Sequence, residues 1–458
     1  MDRSTAHTVS VAGGRHDPVR SELAQLLKLA GPVVLARLGI MTMGLTDAIV
    51  VGRYSAAELG YHALGWAPTN VVITMVVGLL SGVQVLTARA VGDGRRSDAG
   101  AVLRRGIVYA FWIGLASTGV LLLGGPAFLH AIGLSRDLAD GASRPLLVFA
   151  LSLLPYSVSV AASFWLEGLS RPGPTVWAMW VANLFNLGLD LLLVPGTFGL
   201  PALGAVGGAL ATLGARTALC LYTLAYIARM PEARALGVFR RPARDRAVEA
   251  EQRRIGFGAG LSNVFEVTAF NSLNVIAGWI SALAVAGWAI VLNVTAVIFM
   301  APLGLATAAA VRVGAAYGAR DPAGVRRAAG VAIAVTGLYG VVLSLVVWPL
   351  AGPVVGLYTS DAQTLAMSGA ALTLACLMFL PDALQVVTAQ VLRARGDVWV
   401  PTAAHLTSYI LVMAPLAWFL AIPMKLGVTG MVWAVVLASL ISGALLLARL
   451  WALSRRDA

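Results

Sequence analysis

The chain has 458 residues, of which 59% are apolar and only 12% charged, about half the charge expected of a soluble domain. About twelve helices of roughly 20–22 residues would use nearly all of that apolar content, which excludes a soluble enzyme and points to a polytopic helical membrane protein. The net charge of +12 and pI near 10.4 do not indicate nucleic acid, because the arginines fall in short clusters between apolar runs instead of along one face.

The first twenty residues are polar and run into a long apolar stretch with no small-residue cleavage site, so a removable signal peptide is not expected. Apolar segments of spanning length recur near residues 24–51, 62–90, 102–124, 142–166, 174–195 and 203–228. The second half follows near 255–281, 286–312, 325–350, 364–392, 399–422 and 427–452. These runs are too long for barrel strands and lack their alternation, so an all-α membrane fold is predicted. Between the sixth and seventh lies the longest internal polar segment, with Arg234, Arg240, Arg241, Arg244, Arg246 and Arg253 among Glu232, Asp245, Glu249 and Glu251. It reads as a cytoplasmic linker, 229–254, between an amino-terminal lobe (1–228) and a carboxy-terminal lobe (255–458). Cys220 and Cys376 sit inside apolar runs and offer neither metal spacing nor a disulfide framework.

Loop charge sets the orientation. Arg89, Arg95, Arg96, Arg104 and Arg105 follow the second span, Arg171 the fourth, and Arg312, Arg320, Arg326 and Arg327 the eighth. Arg393 and Arg395 follow the tenth, and the chain closes with Arg449, Arg455 and Arg456. The odd-numbered loops are uncharged, mixed, acidic or nearly so. Even-numbered loops and both termini are therefore expected in the cytoplasm.

The two halves repeat. Val51-Gly52 matches Ala277-Gly278, Gly92 matches Gly318 and Leu154-Pro155 matches Leu380-Pro381, all at a shift of 226; Leu203-Gly204 matches Leu426-Gly427 at 223. An even number of helices per copy gives both copies the same orientation, the parallel-repeat plan of alternating-access transporters. Two pseudo-symmetric six-helix lobes in one chain need no second copy, so a monomer is expected. No intramembrane protease pattern is present, and His405 is the only deep histidine candidate.

An acidic side chain at mid-bilayer costs about 2.5–3.5 kcal/mol on insertion scales. Asp47, Asp190, Glu266 and Asp382 lie deep in spans, and the repeat does not duplicate them. The shift of 226 places Leu273, Ile40 and Tyr156 opposite Asp47, Glu266 and Asp382, and Asp190 falls near Pro415. An acid that only holds helices together would recur in both copies, so these four read as functional. Asn186 and Asp190, four apart, share a helix face. Pro381 frees the carbonyl of Leu377 beside Asp382. Glu167 reads as an interfacial partner of Arg171, and Arg37 either snorkels to the cytoplasmic surface or pairs with one of the four acids.

The run "GPVVLARLGIMTMGLTDAIVVGRYSAAELG", the segment "NVFEVTAF", and "LPDALQVV" followed by "LRARGD" resemble multidrug and toxic compound extrusion (MATE) transporters, most of all the NorM-like branch. The resemblance extends from about Leu23 to Arg449. It implies that Asp47, Glu266 and Asp382 are the acids of the first, seventh and tenth helices, and that Asn186, Asp190, Thr212 and the Gly208 carbonyl form the amino-terminal cation site. Two departures stand out: Met378 where some members carry a tyrosine, and Gly258 where a proline often begins the seventh helix. The resemblance further implies export of amphipathic organic cations and drugs from a bacterial inner membrane, in exchange for sodium ions or protons and with no cofactor. The ligands offered are oxygens, which suit a hard cation, and a proton can compete for the same carboxylates. Phe265, Phe270, Trp165 and Trp279 are aromatic candidates, but an interfacial belt accounts equally well for tryptophans, and no substrate contact is assigned. The nearest rival is a lipid-linked glycan flippase, which would favour a cationic cavity; Arg37 alone speaks for it.

Overall fold

The computed structural model describes residues 18–240 and 245–456. The polar tail before Pro18, together with Arg241 and Arg244 of the linker, lies outside the described residues. Within them the chain forms twelve long helices: α1 (Pro18–Tyr54), α2 (Ala56–Gly92), α3 (Ala99–Ala131), α4 (Arg136–Gly168), α5 (Gly173–Leu193) and α6 (Gly204–Arg229) in the first half. The second half comprises α7 (Arg246–Ile280), α8 (Ala282–Gly318), α9 (Pro322–Gly356), α10 (Ala362–Ala394), α11 (Trp399–Ala421) and α12 (Gly427–Arg456). Eleven of them are long and apolar enough to cross a membrane. The exception is α7, whose apolar run is interrupted by Asn263, Glu266, Asn271 and Asn274.

Most helices outrun their apolar segments because polar caps continue the backbone bonding past the hydrocarbon-compatible residues. Ser55, Asp245, Ser281, Asp321 and Asp361 each accept from an amide in the first turn of the helix that follows. The Asp245 cap corrects the linker: residues 246–254 are the opening turns of α7, not connector. The remainder is strapped to α3, with the Gly100 amide donating to the Leu236 carbonyl at 2.8 Å and Arg104 Nε to the Val238 carbonyl at 2.6 Å. Arg171 pairs there with Glu232 at 3.0 and 2.9 Å and holds that carboxyl below its ordinary range. Several arginines read as loop residues lie on helices: Arg89 on α2, Arg312 on α8 and Arg393 on α10.

The repeat is visible in the helix bounds. Ala56–Gly92 and Ala282–Gly318 are displaced by 226 at both ends, as are Arg136–Gly168 and Ala362–Ala394. Each six-helix lobe has its own apolar core, one around Leu153 and Trp165, the other around Leu273 and Trp288. A third cluster joins the lobes, packing Leu26, Leu29, Ala30 and Ala88 against Leu305 and Val311. Outward faces carry apolar side chains such as Leu123 (87% exposed) and Leu345 (70%), as a lipid-facing surface requires.

The lobes meet mainly at the end that bears the arginine clusters. Missing side chains let backbones touch there: a Cβ on Gly78 would overlap Gly260, one on Gly82 the Gln252 carbonyl, and one on Gly92 the Ala315 carbonyl. Two arginines pin the seam. Arg89 donates to Glu251 at 2.6 Å and to the Ala394 carbonyl at 3.0 and 2.8 Å, and lies over the Tyr317 ring. Arg312 grips Glu22 with two bonds of 2.8 and 2.7 Å. One pair runs from α2 to α7 and the other from α8 to α1, helices that the duplication relates, although at the shift of 226 Arg89 falls on Ala315 and Arg312 on Leu86. Toward the other end α2 is only partly buried.

Breaking a partly buried ion pair costs about 1–3 kcal/mol, and two such losses shift a two-state equilibrium roughly a hundredfold. Spin labels at Arg96→Cys and Arg320→Cys, on opposite lobes at this end, should give one short distance. Adding Glu22→Gln and Glu251→Gln should produce a longer, broader distribution; an unchanged distribution would mean that the pairs do not hold the seam.

Candidate functional site

The hairpin of α1 and α2 turns on Ser55, so Asp47 and His62, eight and seven residues from it, stand at the same depth. Both are buried, at 3% and 5% exposure, with His62 Nε2 3.9 Å from Asp47 Oδ2. Thr212 on α6 donates its hydroxyl to the same oxygen at 2.5 Å. Asp190 on α5 lies against the Asp47 carboxylate, and Asn186 sits one turn before it on the same face. Asp190 and Asn186 are both 0% exposed, and none of their side-chain oxygens has a hydrogen-bond partner; Asp47 Oδ1 and His62 Nε2 are also unpartnered. Gly208 stands one turn before Thr212, where a Cβ would meet Val51 and His62. A cavity of about 170 Å³ opens among Asp47, His62, Trp66, Tyr156, Thr212 and Arg216. Apart from the Thr212 hydroxyl on Asp47 Oδ2, these carboxylate and amide oxygens have no donor, and oxygens are the ligands that a hard cation takes.

The carboxy-terminal lobe builds a second cluster. Asp382 Oδ1 accepts from Ser439 at 3.2 Å and from Tyr409 and Gln385 at 3.4 Å. Tyr409 lies in a wide, π-helical stretch of α11, Leu406–Met413, just before Pro415, which has no amide to continue the regular ladder. Such widened turns are frequent at functional sites. Glu266, partly buried on α7, is in electrostatic reach of both Asp382 and the buried Arg393. His405 packs edge-on to Tyr409 at 5.5 Å with neither ring nitrogen partnered. Met378, one turn before Asp382, is buried in the apolar core. Gly258 lies inside α7 and lets Val398, just before α11, and Thr402 of α11 approach, Thr402 donating to its carbonyl at 3.0 Å.

The seven residues singled out in the sequence thus fall into two groups, five in one lobe and two in the other. Four expectations are corrected. Glu167 is no interfacial partner of Arg171: it is 3% exposed and accepts from Gln84 at 2.7 Å, while Arg171 has turned to Glu232. Arg37 neither snorkels nor joins the four acids; it lies over Phe164 and within electrostatic reach of Glu167. Arg393 is 3% exposed instead of lying in a loop, and His62 is a second deep histidine. Arg216, 5% exposed, was not foreseen, although its place one turn after Thr212 on α6 was a signal. Of the aromatic candidates, Trp165 is a core residue bonded to the Ala99 carbonyl and Trp279 is 65% exposed.

Two of these findings belong together. Glu167 and Arg393 are each one residue from the end of α4 and α10, a displacement of 226. Their partners, Arg37 and Glu266, stand 19 and 20 residues from the starts of α1 and α7. In both lobes a charged residue of α1 or α7 thus lies within electrostatic reach of one at the end of α4 or α10, with reversed polarity, although at the shift of 226 Arg37 falls on Asn263, one turn from Glu266.

The family profile described as MatE matches the chain twice, over residues 32–192 and 259–419. A relative from Caulobacter vibrioides, described as a probable multidrug resistance protein NorM, is 58% identical over 457 residues, covering 100% of this chain and 97% of its own. The multidrug resistance protein MdtK of Edwardsiella ictaluri is 31% identical over 392 residues, 82% of each chain. Among solved structures, a MATE protein in the bent conformation superposes with a TM-score of 0.86 at 18% identity, covering 96% of this chain and 98% of that one. The eukaryotic MATE transporter AtDTX14 gives 0.86 at 20% identity over the same shares.

The reversed pairs make a prediction about stability. Arg37→Glu and Glu167→Arg singly place like charges within reach of each other and should each cost about 1–3 kcal/mol. The double variant copies the polarity of the other lobe and should regain most of that loss. Thermal unfolding of the purified protein reads it; a double variant no more stable than the worse single would refute the equivalence.

Proposed function

The chain belongs to the MatE family of multidrug and toxic compound extrusion transporters, secondary transporters and not enzymes, and from that premise we propose that it is a cation-coupled antiporter exporting amphipathic organic cations. Eleven helices able to span and these homologues make it an integral membrane protein; its place is a bacterial inner membrane, as a monomer with both termini in the cytoplasm. The observation that carries the reading is the buried Asp47–Asn186–Asp190 group, in which no protein donor answers Asp47 Oδ1, Asn186 Oδ1 or either oxygen of Asp190.

Two unpaired carboxylates at hydrocarbon depth are costly unless a cation or a proton neutralises them. Loading the amino-terminal site with sodium or a proton removes that cost and lets α1, α5 and α6 close on the cavity. Glu266 and Asp382 receive the organic cation in the other lobe, with Phe270 and Tyr409 beside them. With the arginine-rich end in the cytoplasm, the seam held by Arg89 and Arg312 closes that side, so the conformation described opens outward. Exchange follows when ion loading expels drug outward and the ion is released on the opposite side. A glycan flippase fits less well: the deep acids Asp47, Glu167, Asp190, Glu266 and Asp382 outnumber the buried or half-buried Arg37, Arg216 and Arg393.

Asp382→Asn and Glu266→Gln should each abolish efflux while leaving membrane insertion intact, since removing a deep charge eases insertion. Normal efflux by both at wild-type expression would make these acids structural. Coupling is read by equilibrium binding of a fluorescent organic cation to purified protein, titrated with sodium at fixed pH and with acid in sodium-free buffer. Wild type should release dye in at least one titration, Asp190→Asn should retain it in both, and Asp382→Asn should bind dye more weakly than Asp190→Asn does. An Asp190→Asn response matching wild type would remove the amino-terminal site from the mechanism.

A further inference from the structure

Arg216 is a buried cation beside a site proposed to take a cation, and nothing in the transport scheme above uses it. Its guanidinium lies over the faces of Tyr156 and Trp66, 4.7 and 5.3 Å from the ring centroids, and donates to Ser152 Oγ at 2.7 Å. Those contacts hold its direction without neutralising it. It borders the 170 Å³ cavity together with Asp47, His62 and Thr212, and it follows Thr212 by one turn of α6. Its field reaches Asp47, which lies against Asp190. The duplication does not repeat it: at the shift of 223 that relates α6 to α12, Arg216 falls on Ser439.

The formal charges can be counted. Asp47 and Asp190 contribute two negatives and Arg216 one positive; His62 in its neutral form contributes none. The site is left with one uncompensated negative charge, in surroundings where any uncompensated charge costs several kcal/mol. One sodium ion or one proton balances it, whereas a divalent ion would leave an excess positive charge buried. The oxygens present, from two carboxylates, an amide and a hydroxyl, are of the kind that calcium also takes. We infer that Arg216 sets the charge of the amino-terminal site and so makes it select one monovalent cation over a divalent one. The inference rests on the reading of that site as the coupling site.

The test uses full-length purified protein and calcium alone as the probe, measured by equilibrium dialysis with radioactive calcium. Wild type and Arg216→Lys, which keep the charge, should bind no calcium at this site. Arg216→Gln, or Arg216→Met if the glutamine variant does not fold, should gain calcium affinity by about tenfold or more over wild type. That gain should vanish when Asp190→Asn is added. A second arm restores the count: Asp47→Asn should lose the release of dye by sodium or acid, and Asp47→Asn with Arg216→Gln should regain it. Folded Arg216 variants that gain no calcium, or a double variant that stays insensitive, overturn the inference. If wild type still releases dye in an Asp190-dependent way, that result leaves the coupling site standing; if Asp190→Asn releases dye as wild type does, the coupling site itself falls and the inference with it.

Discussion

A carboxylate buried at hydrocarbon depth without a partner is the constraint around which this molecule is arranged. Asp190 has no exposure and no donor for either oxygen, and it faces Asp47 instead of a cation. A group in that position stays ionised only with a counter-charge nearby, and around the two carboxylates the structure provides only partial ones: the Thr212 hydroxyl on Asp47 and the guanidinium of Arg216 at the cavity wall. The compensation is incomplete. An ion or proton that completed it would change the energy of packing α1, α5 and α6 together, the basis of the coupling proposed above.

Duplication supplied the scaffold and divergence supplied the asymmetry. Helix bounds repeat to the residue between α2 and α8 and between α4 and α10, and each crossing of the seam carries an ion pair, Arg89–Glu251 and Arg312–Glu22, from different positions of the repeat. The deep charges do not. Where one lobe has Tyr156 facing Arg216, the other has Asp382 accepting from Ser439; where one has Arg37 near Glu167, the other has Glu266 near Arg393. The two lobes thus share a shape and differ in charge, the asymmetry on which the proposed exchange rests.

Much of this was legible in the sequence. Hydropathy located all twelve helices, the shift of 226 paired them, and the four non-repeated acids marked both clusters. What escaped did so for physical reasons. A window scan weighs each residue by its own polarity, so caps such as Asp245 were read as connector although they start helices. Arg393 was assigned to a loop because charge near a span end usually snorkels, whereas here Glu266 gives it a reason to stay buried. Glu167 and Arg171 are neighbours in sequence but point to different partners, and only packing decides between Gln84 and Glu232. His62 became apparent once the hairpin was known to turn on the single residue Ser55, which sets it level with Asp47.

The central claim is that an ion gradient, acting through buried carboxylates, drives an organic cation uphill. Purified protein in sealed proteoliposomes, given a fluorescent organic cation at equal concentration on both sides, tests it with no other energy source present. Imposing a sodium or proton gradient should concentrate the dye on the side from which the ion flows, and collapsing the gradient with an ionophore should let the dye run back. Folded protein that leaves the dye evenly distributed under both gradients would contradict the account.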